Sequence, residues 1–288
     1  MATRVSRKLR AAIAGALVLA IAVPVAAQFG QFGERRRGGG RFGGRNFGFI
    51  TKARPQDFDG SWHFCRLAFP SDIRGDGASW NVDWPRADIN LSVRLSELTK
   101  TPVSMDDEGE PRPLLVEATD PELFQCPFIM MTEVGSASIN AVAAEHLRDY
   151  LLKGGFIWAD DFWGSFAWEW WADQFAKVLP PDQYPWIDLP ADHPLYHAQF
   201  EVKQTPQIPS IGAWESLGGG TSERGADSAV VHTRAILDSH GRIMVLATHN
   251  TDFGDSFERE GDDPTYFTNF SVPGYGFGIN ALLYSLTH

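Results

Sequence analysis

Two adjacent aspartates, Asp160 and Asp161, lie one residue beyond the apolar run Phe156-Ile157-Trp158. Close carboxylates raise one another's proton affinity, so one of a pair can hold a proton near neutrality, and a pair can also coordinate a hard cation. Aspartate is equally a preferred helix cap. The expectation is that one caps and one faces solvent or ligand. A second set lies in HNTDFGDSFERE, where His249 ends an apolar run and Asp252, Asp255 and Glu258 follow. An imidazole there can act as a general base, and the acids lack the spacing of an EF-hand loop. Asp160, Asp161 and His249 are therefore the candidate catalytic residues.

The ligand-binding candidates are Asp72, Arg74, Trp84, Glu133, His193, Asp252 and Asp255. Asp72, Arg74 and Trp84 lie in SDIRGDGASWNVDWPRAD, which mixes aspartate and arginine with Trp80 and Trp84. Aromatic faces stack on sugars while polar groups read hydroxyls, although large aromatics also anchor loops by packing. His193 and His197 stand four apart, a zinc spacing on a helix, but Pro194 between them argues against a helix. No metal ligand is assigned, and no cofactor is identified.

These side chains need elements to position them. Phe128–Met131 has strand length. Ile139, Val142, His146, Leu147, Tyr150 and Leu151 recur at helical spacing, and Gly154-Gly155 stops the helix before the strand Phe156–Trp158. Strand, helix, strand is the crossover unit of a parallel sheet, whose ligands bind beyond the carboxyl ends of the strands. His63–Phe69 and Pro113–Glu117 read as further strands, with shorter candidates at Pro102–Met105, Trp186–Leu189 and Ala198–Val202. Ile89–Leu98 reads as a helix capped by Asp88, with Ile89, Val93 and Leu98 on one side. Phe166–Val178 reads as a tryptophan-rich helix. Ala229–Leu237 and Ile243–Thr248 flank the turn Asp238–Gly241, and the C-terminus closes as a helix. The fold class is α/β, doubly wound and mostly parallel, with an antiparallel hairpin extension.

The N-terminus carries Arg4, Arg7, Lys8 and Arg10, then the apolar run Ala11–Val23 and the small residues Val25-Ala26-Ala27. This predicts a signal peptide over 1–27, cleaved near Ala27. Residues 28–50 are Gly/Arg/Phe-rich and read as a flexible linker, and 51–288 as one α/β domain. The chain has formal net charge −11; the signal carries four basic side chains and no acid, and the linker five arginines and Glu34, leaving −19 for the rest. So acidic a body excludes nucleic acid as the main partner. A secreted or periplasmic location is expected, with membrane attachment only if the N-terminus stays uncleaved. Cys65 and Cys126 lack redox or metal spacing. In an oxidising compartment they pair if their strands are neighbours; the preferred reading is two buried free thiols.

Several motifs resemble a bacterial family known as domain of unknown function 4159: FCRLAFPSD, NVDWPRADINLSVRLSELT, PFIMMTEVG with LRDYLLKGGFIWADD, LPADHPLYH, HNTDFGDSFE and INALLYSLT. That family is similar to the class I glutamine-amidotransferase-like superfamily, which implies a flavodoxin-like sheet and a functional turn after the strand ending at Trp158. The superfamily's nucleophilic cysteine belongs in that turn, where this chain has Ala159-Asp160-Asp161. Thiolate amidotransfer is therefore disfavoured. The expected function is an amidotransferase-like pocket protein binding a small molecule, glycan or envelope protein. The rival is a hydrolase-like enzyme with an Asp/His acid–base site, metal-assisted or not. A third reading is a membrane-linked assembly factor.

Overall fold

A computed structural model describes residues 52–288. The expected signal peptide and the linker over 28–50 lie outside the described residues.

Short apolar segments build the centre. Strands β1 (Cys65–Ala68), β2 (Leu114–Glu117), β3 (Ile129–Thr132), β4 (Ile157–Asp160), β5 (Ile187–Asp188), β6 (His232–Leu237) and β7 (Ile243–His249) form a seven-stranded sheet in the order β2-β1-β3-β4-β7-β6-β5. The first five in that order are mutually parallel. β6 runs antiparallel to β7, and β5 antiparallel to β6. The hairpin expected around Asp238–Gly241 is this β6–β7 pair, with Gly241 at φ 84 in its turn.

The helices are α1 (Arg86–Leu98), α2 (Ala141–Leu152), α3 (Gly164–Phe175), α4 (Ile211–Ser216), α5 (Phe253–Glu258) and α6 (Val272–Thr287), with shorter helical turns between them. Side chains alternate across a strand, so each strand feeds two cores. Cys65, Leu67, Ile129, Met131, Ile157 and Ala159 pack with Leu147 and Leu151 of α2 and Trp171 and Phe175 of α3. Phe64, Phe128, Met130, Phe156 and Trp158 pack with Leu91 and Leu95 of α1, Phe253 and Phe257 of α5 and Phe277 of α6. Helices thus cover both faces of the sheet.

Arg66 breaks the apolar pattern of β1. It points into the second core with no exposure, and its Nε and Nη2 donate to the Asp88 carboxylate on α1, also fully buried. Removing one partner of such a pair costs about 3–5 kcal/mol, because the other is left as a bare buried charge. That demand sets the orientation of α1. Asp88 is therefore not the cap: Pro85 precedes the helix and Asp88 faces inward from its first turn. The buried side carries Ala87, Leu91 and Leu95, while Ile89 and Val93 are half-buried and Leu98 is 42% exposed.

Two expected strands are replaced by other structure. Residues 102–105 make only isolated bridges, Trp62 to Val103 and Met105 to Pro111. The 198–202 segment is irregular because Asn280 of α6 claims its backbone: Oδ1 accepts from the N–H groups of Gln199 and Phe200, and Nδ2 donates to Phe200 O.

The cysteines correct the free-thiol expectation. Cys65 and Cys126 form a disulfide between β1 and the turn leading into β3. β1 and β3 are adjacent strands, so the chain just before β3 lies beside the start of β1. The bond closes a sequence separation of 61, and a loop of that size restricts the unfolded chain by about 4 kcal/mol. Replacing both cysteines with alanine is expected to lower unfolding free energy by about that amount in urea titrations. Thiol titration of the denatured, unreduced protein should find no free sulfhydryl.

Candidate functional site

Parallel strands deliver their carboxyl ends to one edge, and three of them end there in a left-handed, non-glycine residue. Glu133 (φ 55) follows β3, Asp161 (φ 56) follows β4 and Asn250 (φ 65) follows β7. Asp83 (φ 61), shortly before α1, is a fourth. Aspartate and asparagine tolerate this region best, but each such residue still needs its surroundings to hold it. Asn250 shows how: Oδ1 accepts from Gly164 N at 2.8 Å, and Nδ2 donates to Val230 O at 2.7 Å.

Acidic side chains crowd this edge. Carboxylate oxygens of Asp83, Asp161 and Asp252 lie within 4.8 Å of one another, and so do those of Asp83, Asp255 and Glu258. All are buried except Glu258, which is half-buried. Asp83 fits only because residue 254 is glycine; a Cβ there would strike the Asp83 carboxylate. The Oδ2 of Asp83 is buried without a hydrogen-bond partner.

The adjacent aspartates divide their work. Asp160 Oδ2 accepts from Phe253 N at 2.7 Å and Gly254 N at 3.3 Å, closing the start of α5, and Oδ1 accepts from the Thr248 hydroxyl at 2.5 Å. It caps a distant helix; the helix next in sequence, α3, is served by Asn250 and by Asp227, which accepts from Ser165 N at 2.9 Å. Asp161 accepts at Oδ1 from the Trp163 indole N–H at 3.1 Å and turns toward the carboxylates.

Burial governs the protonation of this edge. Burial pushes the Asp160 carboxyl up to about 7 against the pull of the Thr248 hydroxyl and the backbone N–H groups of Phe253, Asp161 and Gly254. Asp83, Asp161 and Asp252 are pushed well above the carboxylate range, by burial first and by their acidic neighbours second. Glu133, half-buried beside Asp76 and Glu223, rises to about 7, by loss of water first, despite a bond from the Ala78 backbone. Arg66 is the nearby buried cation, and its Nη1 has no hydrogen-bond partner, but its other two nitrogens serve Asp88. Arg259 is bonded to Asp255 at 3.3 Å and to Glu258 at 2.9 Å. Among the described residues Asp83, Asp161 and Asp252 have no such counter-ion. Chemically, they form a site for protons, a cation or a ligand rich in hydrogen-bond donors.

His249 is turned away from Asp160. Thr248, its neighbour on β7, bonds Asp160, and successive strand residues point to opposite faces. His249 Nε2–H donates to Gly164 O at 2.9 Å, and Nδ1 receives an Arg234 N–H at 3.3 Å. Its ring stacks on Phe162 at 4.9 Å and on His232 at 5.7 Å. Burial first, then Arg234 and His232, lower its pKa to about 4, while the Gly164 bond and Asp227 oppose them.

The other candidates are spread out. Glu133, Asp252 and Asp255 join Asp161 at the edge. Trp84 is half-buried beside Asp83 and packs edge-on against Trp80 at 6.3 Å. Asp72 and the exposed Arg74 pair with each other, bidentate at 3.0 and 2.7 Å. His193 lies elsewhere: it stacks near Tyr284, whose hydroxyl accepts from Ile243 N at the opposite end of β7. Sequence reasoning chose Asp72, Arg74 and Trp84 from the loop that also carries Asp83 but did not choose Asp83 itself, and it missed the Arg66–Asp88 pair. Arg66 had a readable signal, a charge inside an apolar strand. The loop of Asp83 was readable as a candidate, but the inward turn of its side chain was not, since that depends on the left-handed turn and the room beside Gly254.

Over residues 69–286 the chain matches the model of a family described as Domain of unknown function (DUF4159), and it belongs to that family. No curated protein matches it.

Asp160→Ala, which strips three buried donors of their acceptor, is expected to cost roughly 3 kcal/mol in urea unfolding. Asp161→Asn keeps an oxygen for Trp163 and suits a positive φ, so it should change stability by less than about 1 kcal/mol. For His249 the folded pKa lies below the unfolded one, so the unfolded chain binds the extra proton and stability falls as pH drops from about 6.5 toward 4. Its contribution to that loss is about 2 kcal/mol at pH 5. Unfolding curves of the wild type and His249→Phe, compared at pH 7.5 and pH 5, should differ in pH dependence by that amount.

Proposed function

We propose that this member of the DUF4159 family is an exported ligand-binding protein of the cell envelope, built on a doubly wound, flavodoxin-like and amidotransferase-like fold from which the thiol nucleophile is missing. The parallel strands run 2-1-3-4-7 in space, which parallels the 2-1-3-4-5 order of flavodoxin-like sheets. The turn after β4 holds Asp161 where the superfamily keeps cysteine, and both cysteines of the chain are tied in the disulfide. A disulfide suits an oxidising compartment and so supports export. Among the described residues no helix is long and apolar enough to cross a membrane.

The observation that carries this reading is convergence: β3, β4, the segment after β7 and the loop before α1 bring Glu133, Asp161, Asp252 and Asp83 to one sheet edge. Ligands of open parallel sheets bind at that edge. Carboxyl groups there take hydroxyl and amine donors, and half-buried Trp80 and Trp84 next to Asp83 offer aromatic surface. A polyhydroxylated ligand, such as an envelope glycan, fits this chemistry better than a polyanion does. The hydrolase alternative draws on Asp161 alone, which occupies a sharp strand-to-helix turn of the kind that presents nucleophiles; His249 has Gly164 and Arg234 as its partners.

Thermal melts of the full-length protein with envelope sugars, with chelator present throughout, test the binding reading. A ligand at about 100 times its Kd stabilises the folded state by about 2.7 kcal/mol. At least one sugar should raise Tm, and Glu133→Gln should diminish the shift. Turnover of a glycoside or ester that disappears in Asp161→Asn would instead favour the hydrolase.

A further inference from the structure

We propose that Asp83, Asp161 and Asp252 together hold one hard divalent cation, calcium or magnesium, at the carboxyl edge of the sheet. The ion site rests on the pocket reading above and gives it a charged centre.

The spacing fits. Oxygens within 4.8 Å of one another can all reach one ion, since calcium takes oxygen at about 2.3–2.6 Å and magnesium at about 2.0–2.1 Å. The ligand type fits too, because carboxylate oxygens select hard cations over zinc or copper. Each residue has an oxygen to offer. Asp161 uses Oδ1 on Trp163 Nε1, and Asp252 uses Oδ1 on Asp255 N, so each retains a second oxygen.

Asp83 supplies an observation that mere acidity does not. It is 9% exposed, it sits in a left-handed turn, and among the described residues its Oδ2 has no hydrogen-bond partner. A buried carboxylate oxygen with no donor is costly unless something positive meets it. The absence of a Cβ at Gly254 makes the room for that carboxylate.

The other triad is the poorer host. Asp255 accepts from Ile211 N at 2.5 Å and pairs with Arg259, as does Glu258. Their charge is already countered, whereas Asp83, Asp161 and Asp252 have no arginine or lysine bonded to them.

The test uses full-length protein stripped with chelator, then dialysed free of it. Terbium(III), a luminescent calcium substitute, is titrated in while tryptophan is excited; Trp163 touches Asp161 and Trp84 adjoins Asp83. Saturable sensitised emission is expected, displaced by calcium or magnesium, whichever is the native ion. Asp83→Asn, Asp161→Asn and Asp252→Asn should each weaken binding ~10-fold or more, and Asp149→Asn on exposed α2 should not. Circular dichroism confirms that each variant is folded, and Asp161→Asn alone suffices if the others are not. Absence of saturable emission and of any calcium or magnesium effect on Tm overturns the ion site. So does binding unchanged in Asp161→Asn but lost in Glu258→Gln, which would move the ion to the other triad. If sugars still raise Tm under chelator while no ion binds, the ion site falls and the pocket reading stands. If neither binds, both fall.

Discussion

A carboxylate removed from water must meet a donor, a cation or a proton, and the architecture around the sheet edge follows from how each buried acid satisfies that demand. Asp88 meets the guanidinium of Arg66. Asp160 meets two backbone N–H groups and a hydroxyl. Asp255 meets Ile211 N and Arg259. Each solution also joins separate elements: β1 to α1, β4 to both α5 and β7, and α5 to α4. Structural acids and uncompensated acids therefore lie side by side, and they differ in partners rather than in burial.

That difference gives the edge its chemical character. The satisfied acids form a frame, and Asp83, Asp161 and Asp252 sit within it without a bonded arginine or lysine. Their shared proton affinity comes from low dielectric and mutual repulsion, the two effects that raise carboxyl pKa values in enzyme sites. The left-handed turns at Asp83, Glu133, Asp161 and Asn250 place backbone strain in the same region. Strained non-glycine backbone of this kind clusters at functional sites.

His249 illustrates a different outcome. It lies at the correct strand end, yet its side chain enters an aromatic stack with Phe162, Trp168 and His232 on the face away from Asp160. Arg234 lies over Trp168 at 3.8 Å and donates to the imidazole, so a neutral histidine is held among rings and cations. Its neutrality is a packing result, fixed by burial and by the positive neighbour.

Much of the fold was legible along the chain. Apolar runs of strand length, the helical recurrence of Leu147, Tyr150 and Leu151, and the Gly154-Gly155 stop gave the β3–α2–β4 crossover, and hence the edge where Asp161 had to lie. Those signals are local, since periodicity and glycine conformations act over a few residues. Pairings between distant segments were not legible: the Cys65–Cys126 bond, the inward turn of Asp88 toward Arg66, the capture of residues 199–200 by Asn280, and the entry of Asp83 beside Asp161. By itself the sequence determined most of the strands and helices and the edge at which acids would gather, though not the irregular course of residues 102–105 and 198–202. Only the tertiary structure decided which acids are paired with a donor or cation and which are not, because pairing depends on distances between residues far apart in the chain.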